Sequence, residues 1–213
     1  VFYYRDNPNG NGFNSSNAYW LRTGIGMKKY VHPNDTYEGG NEDKIVFKPE
    51  PAIRYADILL MYAEALNELD GSYSIEAWNG GNHNISRSIS EMQKGIHPIR
   101  IRAGVPDYST SVYNDKDALR KKLKRERFIE LLAEGQRYYD LRRWMDAAEE
   151  ESLPIYGCNI LMNREERELF HQPVAVWALE TTFSDKMWFW PIGLTELKRN
   201  KRLTQNPGWN YND

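Results

Sequence analysis

Glu126, Glu130 and Glu134 stand four residues apart, which stacks three carboxylates in one row along a helix. Such a row offers two chemistries, the bridging of metal ions or a ladder of ion pairs. Carboxylate-bridged metal sites in helical bundles draw Glu-x-x-His pairs from facing helices. No histidine falls in either strong helical segment, because His32, His83 and His171 sit in loop-like sequence and His97 adjoins a proline. Like charges at this spacing repel by about 0.2–0.5 kcal/mol per pair in an isolated helix. The row therefore reads as a structural ladder that needs cations, and Arg127, Arg137, Arg142 and Arg143 are close by in sequence. No metal site is expected, and no cofactor.

Lys121, Lys122, Lys124 and Arg125 form a basic cluster, but it alternates with acidic residues and lacks the aromatics on which bases stack. With a net charge of −2 and both signs dispersed, the chain gives no argument for a nucleic-acid partner. Neither G-x-S-x-G nor H-E-x-x-H occurs, and nothing singles out a nucleophile with its base. The expected protein is not an enzyme.

A different chemistry is suggested by the aromatics. The 213 residues include 14 Tyr, 7 Trp and 7 Phe, against a mean hydropathy of −0.75. Several of these rings lie in polar loops beside amides. A sugar offers an apolar face to stack on a ring and a rim of hydroxyls for Asn, Asp, Arg or His to bond. Trp78 with Asn79, Asn82 and His83, within WNGGNHN, is the stretch hardest to explain as core, because a segment so polar buries little. Tyr19, Trp20 and the Tyr3–Tyr4–Arg5 segment flank another Asn/Gly-rich stretch and complete a candidate ligand-contacting rim. Trp144, Trp188 and Trp190 lie in strongly patterned segments and read as structural.

These side chains must be positioned by a mainly helical scaffold. From Asp117 to Trp144, Leu119, Leu123, Phe128, Leu131 and Leu132 recur near helical spacing. Gly135 breaks this helix, and a second resumes with Tyr138, Tyr139 and Leu141. Residues 52–70 form the clearest single helix, apolar on all but a narrow stripe of Arg54, Asp57, Glu64 and Glu68, so it should be buried on most of its circumference. That pattern suits a stacked helical-hairpin array of tetratricopeptide type. Ser72–Ser90 reads as a loop, and a further helix over 86–102 should kink or break near His97 because Pro98 follows. Residues 1–51 are loop-rich, residues 52–148 form the helical scaffold, and residues 149–213 are irregular. In that last part Pro173–Leu179 and Lys186–Pro191 read as short strands or extended buried segments, and Thr195–Arg199 as one helical turn. Gly24-Ile25-Gly26 is not a dinucleotide loop, since Lys29 stands where a third glycine belongs and no βαβ unit surrounds it. The single cysteine, Cys158, excludes an internal disulfide. No apolar run approaches the roughly 20 residues that span a bilayer.

Three stretches in order resemble the SusD/RagB family: Arg54–Glu68 (RYADILLMYAEALNE), Arg125–Trp144 (RERFIELLAEGQRYYDLRRW) and Trp188–Trp209 (WFWPIGLTELKRNKRLTQNPGW). That resemblance implies a SusD-like fold, mainly α, with tetratricopeptide-type hairpins, long loops and a few short strands. Members are surface-exposed nutrient-binding lipoproteins of the Gram-negative outer membrane, about twice this length. The chain is then expected to be the C-terminal portion, a single lobe over 1–213, with the lipid anchor on the part that precedes it. The implied function is non-catalytic capture of a glycan and its delivery to a SusC-like TonB-dependent transporter. A peptide- or protein-binding helical-repeat module of the same uptake type is the alternative.

Overall fold

The computed structural model describes residues 2–5, 12–13, 20–36, 44–49, 51–176, 179 and 181–210. Two compact units form, residues 50–140 and residues 1–49 together with 141–213.

The first of these units is helical. It contains α1 (Tyr55–Glu68), the strands β1 (Ser72–Glu76) and β2 (Asn82–Ser86), α2 (Ile89–Arg102), α3 (Thr110–Asn114) and α4 (Lys116–Glu130), and α5 (Gln136–Arg143) begins at its end. Polar side chains start two of the helices. Ser88 Oγ accepts from Glu91 N ahead of α2, and Asp115 accepts from the amides of Asp117 and Ala118 ahead of α4. Helix α1 runs antiparallel to both α2 and α4. Its start meets late residues of those helices, as in the Asp57–Arg127 pair, and its end meets early ones, as in Asn67–Lys116 and Tyr62–Glu91. The core lies where they meet: Leu60, Ala63 and Leu66 pack with Met92, Ile96, Ile99, Tyr113, Leu119 and Leu123. Gly95 lets α2 approach closely, because a Cβ there would lie 2.4 Å from the Leu59 carbonyl oxygen and 2.9 Å from Ala63 Cβ.

Two expectations are corrected in this unit. Helix α2 passes through Pro98 without a break. Proline removes one backbone bond, but Ile96 and Ile99 on either side of it are buried and hold the helix to its neighbours. Nor is α1 buried on most of its circumference. Tyr55 is 75% exposed, and Ile58, Met61 and Tyr62 beside it on the same stripe are also exposed. The third difference concerns the central break, which spans a five-residue turn from Leu131 to Gly135, with both Ala133 and Gly135 at positive φ.

Each glutamate of the row does meet arginine. Glu126 pairs with Arg100 at 2.6 Å, Glu130 with Arg54 at 2.8 Å and Arg102 at 2.5 Å, and Glu134 with Arg54 at 2.7 Å. These cations come from α2 and from the residue before α1. A helix row faces whatever packs on it, so its partners are tertiary. Arg127 instead lies buried between Asp57 at 2.8 Å and Asp140 at 2.9 Å. Tyr108 donates to Glu126 at 2.6 Å, and burial together with that bond raises its phenol well above the usual range.

The other unit is irregular and built around Phe170, which is fully buried. Its regular elements are α6 (Ala147–Glu150), β3 (Tyr156–Gly157), α7 (Arg167–Phe170), β4 (Val174–Ala175) and α8 (Leu194–Arg199). β3 and β4 pair antiparallel. Lys186–Pro191, expected as a strand or an extended buried segment, instead begins within a 3-10 turn, Asp185–Trp188, whose end is pinned by Trp209 Nε1 donating to the Lys186 and Phe189 carbonyls. Trp188 stacks edge-on to Phe183 at 4.8 Å, but Trp190 is 72% exposed and lies at the surface.

Asp35 clasps one loop of this unit. Its carboxylate accepts from the backbone amides of His32 and Val46, each at 2.9 Å, and contacts Lys48 Nζ at 2.7 Å. The Lys48 bond, reinforced by the amides, lowers this carboxyl from 3.8 to about 2. A lowered folded-state pKa contributes stability above the unfolded value that disappears as pH falls through the folded one. The clasp should therefore open between about pH 4 and pH 2. The protection factor of the Val46 amide should fall over that window in the native chain and be low already at pH 6 in Asp35→Ala. A native protection factor unchanged between about pH 4 and pH 2 would refute the clasp.

Candidate functional site

The stretch expected as a loop after α1 is a β-hairpin. β1 and β2 pair in register Tyr73↔Ile85, Ile75↔His83 and Glu76↔Asn82. Five residues on each side suffice for pairing, and the Asn/Gly content is concentrated in the turn between them. There Ala77 N donates to the Gly81 carbonyl at 2.6 Å, Asn79 Oδ1 accepts from Gly81 N at 3.2 Å, and Gly80 takes φ +80°. Trp78 projects from this tip 99% exposed. Asn82 and His83 are exposed, and as successive strand residues they face opposite sides of the hairpin. His83 shares the side of Tyr73, Ile75 and Ile85, while Asn82 shares that of Glu76. The Tyr73 hydroxyl donates to Asp70 at the base, which holds that carboxyl below its ordinary range.

Tyr3, Tyr4, Arg5 and Trp20 belong to the other unit. Tyr4 lies 4.1 Å from Phe170, ring to ring. Tyr3 covers Gly26, where a Cβ would come within 2.5 Å of its ring, and Tyr3 N donates to the Gly24 carbonyl. Arg5 N donates to the Met162 carbonyl at 3.1 Å. These three positions thus tie residues 3–5 to the Phe170 centre. Tyr19 lies outside the described residues.

Trp20 opens onto a cavity of 370 Å³. Its ring meets Phe13 edge-on at 5.1 Å. Ile160, Val174 and Val176 supply further apolar wall, and Arg22 and Asn159 add polar groups. The segments are joined by Cys158 N donating to the Thr23 carbonyl at 2.9 Å, and by Gly157, whose Cβ would fall 2.7 Å from Thr23 Cα. Burial pushes the Cys158 thiol up, so it stays neutral. Among the described residues no group of three His, Cys, Asp or Glu side chains is placed to hold a metal ion. No helix among them is long and apolar enough to cross a membrane.

The sequence profile of the SusD family matches residues 3–209. The chain belongs to the SusD family. The SusD-like protein P38 of Formosa agariphila is 40% identical to it over 97 residues, which is 45% of this chain and 17% of that protein. The solved structure of selenomethionine BT4246 superposes with a TM-score of 0.72 at 25% identity, over 93% of this chain and 32% of that one. A SusD-like protein of Bacteroides fragilis gives a TM-score of 0.52 at 28% identity, over 74% of this chain and 25% of that one. The chain therefore spans about a third of the length of BT4246. Two of the SusD-family stretches coincide with elements that carry the ion pairs: Arg54–Glu68 is α1 with its preceding arginine, and Arg125–Trp144 holds the end of α4 and all of α5. Arg22 and Asn159 escape sequence reasoning, because they come together only through the pairing of segments from the two ends of this SusD-family chain.

Proposed function

We propose that this SusD-family chain belongs to a non-catalytic binding protein of the cell outer membrane, which captures a glycan at the surface and delivers it to a SusC-like TonB-dependent transporter. A lipid anchor would hold it there. Family membership supports the uptake role, and the observation that supports a glycan contact in this chain is Trp78, 99% exposed on a hairpin tip. A ring held in water on an ordered turn adds little to packing and is available to stack on a sugar face. Asn79, Asn82 and His83 stand beside it as hydrogen-bonding groups, and in the other unit Trp20, with Tyr19, Tyr3, Tyr4 and Arg5, forms a second proposed set of ligand contacts.

Titration of a panel of oligosaccharides into the purified protein tests this reading. Trp78→Ala and Trp20→Ala should each weaken binding by about 1–2 kcal/mol, the scale of a single aromatic contact, with Trp78→Ala leaving the melting temperature nearly unchanged. Unaltered binding in both variants would move the glycan away from these rings. Heat from peptides and none from glycans would replace the glycan by a peptide.

A further inference from the structure

The cavity beside Trp20 has a chemistry distinct from that of a sugar rim. Its volume of 370 Å³ lies within the range of small-ligand sites. Its walls are apolar side chains, so the hydroxyls around a pyranose would lose water there without finding partners. Among the described lining residues the exceptions are Arg22 and Asn159. Among the described residues no hydrogen bond, ion pair or ring contact engages the Arg22 guanidinium. Asn159 turns its Oδ1 to Leu161 N at 3.4 Å, which leaves the amide nitrogen of its side chain as the available end. Both available groups are donors, and no carboxylate is among the described residues of the lining. An arginine fork engages a carboxylate through two parallel bonds.

We propose that this cavity binds a small apolar group bearing a carboxylate, with the ring or branched chain against Trp20, Phe13 and Val176 and the carboxylate on Arg22 and Asn159. A free aryl acid and the C-terminal residue of an apolar peptide present the same chemistry. Trp20 is common to this site and to the proposed glycan contacts, but Arg22 lies outside those contacts and Trp78 outside the cavity lining, so Arg22→Gln and Trp78→Ala separate the two readings.

Four probes titrated into the full chain decide the matter: 3-phenylpropionate, N-acetylphenylalanine, N-acetylphenylalaninamide and methyl glucuronoside. At least one of the two apolar acids should bind, the stronger identifying the source as free acid or peptide terminus. The amide should bind about tenfold more weakly than N-acetylphenylalanine, the loss of one charge-assisted contact, if the peptide terminus is the source; 3-phenylpropionamide serves the same comparison for the free acid. In Arg22→Gln the acid should fall by the same factor and the amide should not change. Arg22 is exposed, so this variant is expected to fold, and Val176→Trp, which fills the cavity, should abolish binding of acid and amide alike. Trp78→Ala should leave both affinities unaltered. Equal binding of acid and amide, retention of the acid's advantage in Arg22→Gln, preference for methyl glucuronoside, or no binding of either acid at millimolar concentration would each overturn the proposal.

Discussion

Arg127→Ala should lower the free energy of unfolding by about 3–5 kcal/mol in urea, the range for removing one partner of a buried ionic cluster. The Arg127 side chain is 3% exposed, with Nε 2.9 Å from Asp140 and Nη1 2.8 Å from Asp57. The Glu64 carboxylate comes within 4.0 Å of the same guanidinium. Alanine leaves Asp57 and Asp140 deprived of this cation in a site where water cannot replace it. The penalty arises from the stranded charges more than from the lost attraction. A triple variant, Arg127→Met with Asp57→Leu and Asp140→Leu, should accordingly recover most of the loss, since apolar replacement of a whole buried cluster is often neutral or stabilising. A loss below about 1 kcal/mol for Arg127→Ala would be of surface-pair size and would show that the cluster is solvated.

Leu60→Ala should cost about 2–5 kcal/mol, the span for buried leucines whose surroundings cannot fully collapse. Leu60 is 0% exposed at the centre of the α1, α2 and α4 contact. Gly95 holds α1 and α2 at backbone contact on one side of it, which restricts closure of the resulting cavity. Trp78→Ala, with more atoms removed, should change stability by less than about 0.5 kcal/mol, as surface substitutions do. Denaturation of the two variants side by side is the test. Equal losses would place Trp78 in a packed environment and remove the physical reason for assigning it to ligand contact.

Periodicity made the helices legible. The spacing of Leu60, Ala63 and Leu66 marks the buried face of α1, and that of Leu119 and Leu123 the buried face of α4, because local apolar pattern and helical geometry share one period. The need of the glutamate row for arginines was legible for the same reason, since three like charges on one row demand compensation. Which arginines answer was not. Sequence proximity points to Arg127, Arg137, Arg142 and Arg143, and says nothing of Arg54, Arg100 and Arg102, which reach the row from elsewhere in the fold. Local pattern reads the hairpin as loop because Asn and Gly weigh against strands in any local scale, although they occupy mainly its turn and one edge.

The amino-acid sequence by itself determined that this chain is mainly helical, that α1 and α4 carry an ionic stripe beside an apolar one, and, through three ordered stretches, that it resembles the SusD family. Each follows from short-range spacing or from residues contiguous in the chain. The tertiary structure alone decided that Arg127 sits between Asp57 and Asp140, that Trp78 stands in water while Tyr4 packs on Phe170, and that Arg22 and Asn159 share an apolar cavity. Those outcomes depend on contacts between residues far apart in the chain, and burial, which sets whether a charge or a ring is structural or available, is a property of such contacts and not of local pattern.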